Sequence, residues 1–203
     1  MYILAHAVTM SLSERVFPMF VTAGTVSFLL FLLGDLNDAY WHRRFLRPAF
    51  LTGAALLPLA TAGTILESLP ESFGLAQILA IPVALLFAAL LIRALFFSFP
   101  PKEAYVEDVR ERKVYTGGMY ALCRHPGILW FCFLYACLIP AAGFPPVLAL
   151  LYCLLNILLG WVEDRWIFPR LFSDYKDYQQ STPFLIPTPK SIRAWIHPTG
   201  QKP

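Results

Sequence analysis

Arg124, His125 and Pro126 are followed, across an uncharged apolar stretch, by Glu163 and Asp164. If the stretch between them folds back on itself, a cation and two carboxylates meet at one end of a helical hairpin. Proline suits the first turn of a helix, where its missing N–H costs nothing, so Pro126 starts a helix with His125 near its N-cap. A helix start offers unsatisfied N–H groups and a partial positive charge, which with Arg124 alongside favours a carboxylate or phosphate. Gly117-Gly118 lets the preceding chain turn tightly or approach a ligand closely, and Tyr120 can stack or donate a hydrogen bond. Glu163 and Asp164 follow Val162 at the expected end of the returning helix, where negative charge opposes the helix dipole and calls for a cation opposite. Arg124 or a bound cation would meet that need. A plainer reading stays open: Arg124 and His125 anchor a helix at the headgroups, and the acids mark the exit from the bilayer. Beyond them, Trp166–Tyr178 can form an amphipathic helix that roofs the site or lies along the membrane, with Tyr175 and Tyr178 as interface anchors.

The elements that must position these groups are apolar. The chain has 203 residues, 58% hydrophobic and 14% charged, with a mean hydropathy of +0.59. Soluble domains carry about 25% charged residues, so the composition points to lipid. Charges are clustered, and the runs Val16–Gly34, Ala49–Leu66 and Leu75–Ser98 (interrupted by Arg93) each approach the roughly 20 residues that cross a bilayer. Ile128–Gly143 and Val147–Val162 are shorter and flank Phe144-Pro145-Pro146, as expected for a tight hairpin. The expected fold is an all-α integral membrane bundle of about five transmembrane helices with a helical cytoplasmic C-terminal cap. It forms a single membrane domain over 1–203: three spans in 1–99, the motif-bearing loop, hairpin and cap in 100–187, and a proline-rich tail in 188–203.

Positive charge orients the bundle. Arg43, Arg44 and Arg47 lie in one loop; Lys102, Arg110, Arg112, Lys113 and Arg124 in another; Arg165, Arg170, Lys176, Lys190, Arg193 and Lys202 follow the last span. The intervening loops hold only Glu67 and Glu71, or no charge. Alternation over five spans places the N-terminus outside and the C-terminus in the cytoplasm, in a plasma or inner membrane. Arg93 can snorkel to the headgroups. Met1–Arg15 lacks the basic start and apolar core of a cleavable signal. Cys123, Cys132, Cys137 and Cys153 have no paired spacing, so neither a metal site nor a disulfide framework is expected. The net charge of +3 fits a membrane protein with basic cytoplasmic loops and does not call for nucleic acid.

The segment Gly118–Leu129, with Gly118, Tyr120, Arg124, His125 and Pro126, resembles the G-x-Y-x-x-x-R-H-P signature of the isoprenylcysteine carboxyl methyltransferase and phospholipid methyltransferase superfamily. Without a gap, Glu163 and Asp164 take that family's acidic pair, Ile167 and Leu171 its apolar positions, Tyr175 and Tyr178 its tyrosines, and Pro183 and Pro187 its closing prolines. The likeness covers roughly Val114–Pro187. The first three spans agree only in number and topology. The chain departs from the pattern at Ile128 and Trp130, where the family has Tyr and Gly, at Asp164 in place of Glu, and at Phe172 in place of Gly.

The resemblance implies a cytoplasm-facing pocket for S-adenosylmethionine, with an opening to lipid for a small or lipidic amphiphilic acceptor (carboxylate, thiol or amine). It implies that Gly118, Tyr120, Arg124, His125, Pro126 and Glu163 bind the cofactor, and that Arg124 and Glu163 act at the reacting groups. Arg124 and the helix start suit the cofactor's carboxylate; Glu163 suits its ammonium and sulfonium. Methyl transfer needs alignment more than acid–base help; a thiol or amine acceptor would look to Asp164 or His125 as base. Two other classes stay open. Membrane sterol and steroid reductases share a related hairpin and bind NADPH, though usually in larger chains. A non-catalytic haem- or lipid-binding protein would use His125, or His6 and His42.

Overall fold

The computed structural model describes residues 2–96 and 113–197, with side chains from residue 18 onward. His6, Lys102, Arg110, Arg112, Lys202 and the first part of the expected cytoplasmic loop lie outside the described residues or side chains. The described residues are helical, with no strand among them. The main helices are α1 (Tyr2–Leu36), α2 (Ala49–Ser68), α3 (Leu75–Phe96), α4 (Pro126–Ala142) and α5 (Pro146–Val162). Three short helices follow: α6 (Phe168–Leu171), α7 (Tyr175–Ser181) and α8 (Pro189–Ile196). Four stretches are long and apolar enough to cross a membrane: Pro18–Trp41, Arg44–Ser68, Leu75–Phe96 and Pro146–Leu171. α4, with 17 residues, rises about 25 Å at 1.5 Å per residue, short of the roughly 30 Å of hydrocarbon. On α3, Leu75, Ile78, Leu79, Leu85 and Leu86 are exposed, as lipid-facing residues would be.

The chain forms two compact units, residues 1–81 with 135–156 and residues 82–134 with 157–203. In the first, α1 packs along α2 through small residues. A Cβ on Gly53 would lie 2.8 Å from the Ser27 carbonyl oxygen, and one on Gly34 would lie 3.0 Å from the Phe50 backbone nitrogen. Apolar side chains gain little by leaving lipid for one another, so close backbone approach of this kind is what holds membrane helices together. Buried hydroxyls are satisfied locally: Ser27 donates to the Ala23 carbonyl and Thr64 to that of Ala60. The turn after α4 is closed by Gly143, at φ +69°, whose N–H donates to the Ile139 carbonyl while Phe144 N–H donates to that of Leu138; the first bond is the left-handed C-terminal cap that glycine favours.

Two sequence expectations are corrected. The last long helix does not end at Val162. It continues through a π-helical turn over Glu163–Ile167 into α6, so the acids lie inside a helical stretch rather than at its C-terminus. Residues 166–178 are not one amphipathic helix either: Phe172–Asp174 separates α6 from α7. The proline-rich tail carries α8, opened by a capping box in which Thr188 and Ser191 each accept from the other's backbone N–H, the reciprocal pattern that satisfies two orphan donors.

Candidate functional site

The site belongs to the second unit. Its geometry starts with Pro169, which has no N–H to continue the helix. In a π-helical turn the residue five positions earlier is the acceptor, and for Pro169 that residue is Asp164. The Asp164 carbonyl is taken instead by the Gln179 side-chain amide, at 2.7 Å. The turn thus opens the backbone where the two acids sit, and α7 fills the gap. π-Helical turns inside α-helices are frequent at functional sites.

Asp164, 9% exposed, is the centre of a buried polar cluster. Arg124 grips its carboxylate with both sides of the guanidinium fork, Nε to Oδ1 at 2.7 Å and Nη2 to Oδ2 at 2.9 Å. Tyr175 Oη donates to Oδ1 at 2.7 Å, and Gln179 Nε2 donates to Oδ2 at 3.2 Å. The remaining Arg124 nitrogen donates to the carbonyls of Gln179, at 3.0 Å, and Thr182. Fork geometry of this kind is available to arginine and not to lysine. The Arg124 side chain is 10% exposed, with its donors turned toward Asp164 and the tail rather than toward a ligand.

His125 lies immediately before α4, as the proline predicts, with Pro126 as the first helical residue. The N–H groups of Arg124 and His125 donate to the carbonyls of Pro183 and Phe184. Tail backbone therefore occupies donors that the sequence reading left for an anion. The imidazole stacks on Phe168, centroids 5.6 Å apart and 10° from parallel. Its Nδ1 lies 3.6 Å from Glu163 Oε2 and its Nε2 3.5 Å from Asp164 Oδ1, too far for good hydrogen bonds. Nε2 is buried without a hydrogen-bond partner. With both nitrogens facing carboxylates, the ring would have to turn to ligate a haem.

Burial lowers the His125 pKa; Asp164 opposes that shift and Arg124 reinforces it. Burial prevails because the Arg124 fork already neutralises Asp164, so the imidazole is neutral at pH 7 and its carboxylate contacts are not ion pairs there. The unfolded imidazole titrates near 6.5. A lowered folded pKa means the unfolded chain binds more protons below that value, so stability present above about pH 6.5 is lost as pH falls through the folded pKa. Thermal unfolding in detergent should shift down between pH 7 and 5, and His125→Asn should flatten that dependence.

Tyr175 and Tyr178 are not interface anchors. They are 1% and 3% exposed, and Tyr178 Oη donates to the Tyr120 carbonyl at 2.6 Å. Burial, with Asp164 beside Tyr175 and with Cys123 and Tyr120 near Tyr178, raises both phenol pKa values, so both remain donors. Gly118, at φ +55°, opens the turn Gly118–Ala121, and Tyr120 Oη donates to the Ala94 carbonyl at 3.2 Å. Cys123 is buried, and burial pushes its thiol up to about 11; Cys132, Cys137 and Cys153 are partly exposed and unbridged. A Cβ on Gly160 would lie 2.2 Å from Ile128 Cδ1 and 3.3 Å from His125 Nδ1, so helix α5 passes close to the start of α4.

The structure thus joins Arg124, His125 and both acids. Sequence reasoning missed Asp164 as the hub, and Gln179 altogether. Pro169, five residues after Asp164, was the available signal for the first; nothing local marked the second. Fold and site define an all-helical protein with helices able to cross a membrane and a buried Arg–Asp–Tyr cluster. No family model matches the chain, and neither the curated proteins nor the solved structures give a significant match.

Proposed function

We propose that the chain is an S-adenosylmethionine-dependent membrane methyltransferase acting on a small or lipidic amphiphile at the cytoplasmic face. In this reading the bundle has five spans, α4 being the short fourth, with the N-terminus outside and a helical C-terminal cap in the cytoplasm. One observation carries the proposal: Glu163 and Asp164 sit in a π-helical turn against Arg124 and His125, joining both halves of the motif resemblance in one cluster.

The residues fit the cationic part of the cofactor. Asp164 is held by Arg124, Tyr175 and Gln179. Glu163 is the acid that Arg124 does not grip; its side chain is 16% exposed beside His125, suited to an ammonium or sulfonium. The cofactor's carboxylate would need donors, and the N–H groups of Arg124 and His125 reach it only if Pro183 and Phe184 withdraw. Arg124 is therefore a positioning residue, holding Asp164 and the tail in place. When bound, the cofactor supplies a methyl group on a sulfonium centre. Gly118, Tyr120 and Pro126 shape the helix start, and exclusion of water by the aromatic cluster favours transfer over hydrolysis. A carboxylate acceptor needs no base. For a thiol or amine, neutral His125 is the group able to accept the proton, because Asp164 is already saturated.

Proteoliposomes of the full chain, given methyl-labelled cofactor and carboxylate, thiol and amine amphiphiles, should label one acceptor class. Glu163→Gln should reduce labelling on the order of 30-fold or more, as for loss of one partner of a charge pair, with far less loss of thermal stability than Asp164→Ala. Absence of label across the three classes, or equal labelling by Glu163→Gln, would contradict the assignment.

A further inference from the structure

Helix α8 is unlike the others. At about 100° per residue, Lys190, Arg193 and His197 fall within roughly 60° of one another around its axis, while Ile192, Trp195 and Ile196 occupy the opposite side. Ser191, between the two faces, is the buried residue, at 4% exposure. The apolar trio is open: Ile192 is 40% exposed, Trp195 45% and Ile196 58%. The basic side borders a shallow open pocket that also includes Pro189 and Ala194. Neither Lys190 nor Arg193 makes an ion pair among the described residues.

The position of α8 says what covers it. It packs against the Gly118–Ala121 turn, and Tyr120 of that turn donates to the carbonyl of Ala94, near the end of the apolar, membrane-length helix α3. The segment of tail leading into α8 is tied to the start of α4 where the Phe184 carbonyl accepts from His125 N–H. Both ties hold α8 at the level where apolar helices end, which is the headgroup layer. A short helix with a Trp-containing apolar face and a separate basic face lies in the plane of such a layer, with tryptophan at its preferred depth and each cation attracted to anionic lipid.

We propose that α8 is an interfacial helix that binds the bilayer surface, seating Ile192, Trp195 and Ile196 at the acyl boundary and holding anionic phospholipid headgroups with Lys190, Arg193 and His197. This rests on the membrane reading of the helices and not on the methyl-transfer reading.

The test uses the full chain in nanodiscs of phosphatidylcholine, with and without phosphatidylglycerol, containing lipids brominated near the glycerol end of the acyl chain. The emission lost in Trp195→Phe reports this one residue. Expected is a component quenched by brominated lipid and shielded from iodide, more so with phosphatidylglycerol. Lys190→Gln/Arg193→Gln should lower the docked-to-undocked ratio in anionic discs on the order of 25-fold, about fivefold per cation, and have little effect in neutral ones. Three results would overturn the proposal: quenching of Trp195 by iodide alone, quenching by neither agent (a protein segment covers the face), or lipid quenching indifferent to phosphatidylglycerol and to the double variant.

Discussion

Asp164→Ala should destabilise the chain by about 3–5 kcal/mol, the cost of removing one partner of a buried ion pair and stranding the other. Arg124, 10% exposed, would lose both carboxylate bonds and Tyr175 Oη its acceptor, while Gln179 Nε2 would keep only the residue 164 backbone carbonyl. Asp164→Asn keeps the shape and one acceptor oxygen, and its amide nitrogen would face a guanidinium donor, so it should fall between Asp164→Ala and the parent. Replacing Arg124 and Asp164 together by apolar residues of similar volume should cost much less than the sum of the single changes, because neither charge is then left alone. Thermal unfolding in detergent across that double-mutant cycle checks it. Additive single effects would mean the pair is not coupled.

Arg124→Lys should cost about 2–3 kcal/mol although charge is kept. An ammonium cannot reproduce the paired Nε and Nη2 contacts while also donating to the Gln179 and Thr182 carbonyls, and hydrogen bonds to charged groups contribute about 1.5–3 kcal/mol each. The loss should appear where those carbonyls are. In the parent, residues 182–184 are tied to Arg124 and His125 by the Arg124 side chain and two backbone N–H groups. With lysine, limited proteolysis should cut near Thr182 well before the apolar helices are attacked. Parent-like protease resistance with normal stability would show that the tail is held by other contacts.

Much of the scaffold was legible in the sequence. The first residues of α2 and α3 coincide with the starts of the apolar runs at Ala49 and Leu75, because long uncharged stretches leave little choice of conformation in lipid. Pro126 and Pro146 open their helices for the local reason that proline fits a first turn. What escaped was tertiary. Glu163-Asp164 reads as a helix end because two charges in an apolar run ordinarily leave the bilayer, yet here Arg124, Tyr175 and Gln179 satisfy Asp164 and the helix runs on. Tyr175 and Tyr178 read as surface anchors because a tyrosine pattern cannot show that Asp164 and the Tyr120 carbonyl wait for their hydroxyls. Helix α8 was locally written, in Thr188-Pro189 followed by Ser191, and was obscured by the prolines around it.

These losses separate two roles that the motif alone runs together. Arg124 and Asp164 form the frame, and changing them should cost stability. Glu163, beside the neutral His125, is the acid that Arg124 does not grip, and changing it should cost binding far more than stability. Calorimetric titration of detergent-purified protein with S-adenosylhomocysteine, and separately with NADPH, tests that division most directly, with Glu163→Gln as the control. Expected is saturable binding of S-adenosylhomocysteine that disappears in Glu163→Gln while thermal unfolding shifts far less than in Asp164→Ala, and no binding of NADPH. Binding of NADPH alone, or of neither, would contradict it.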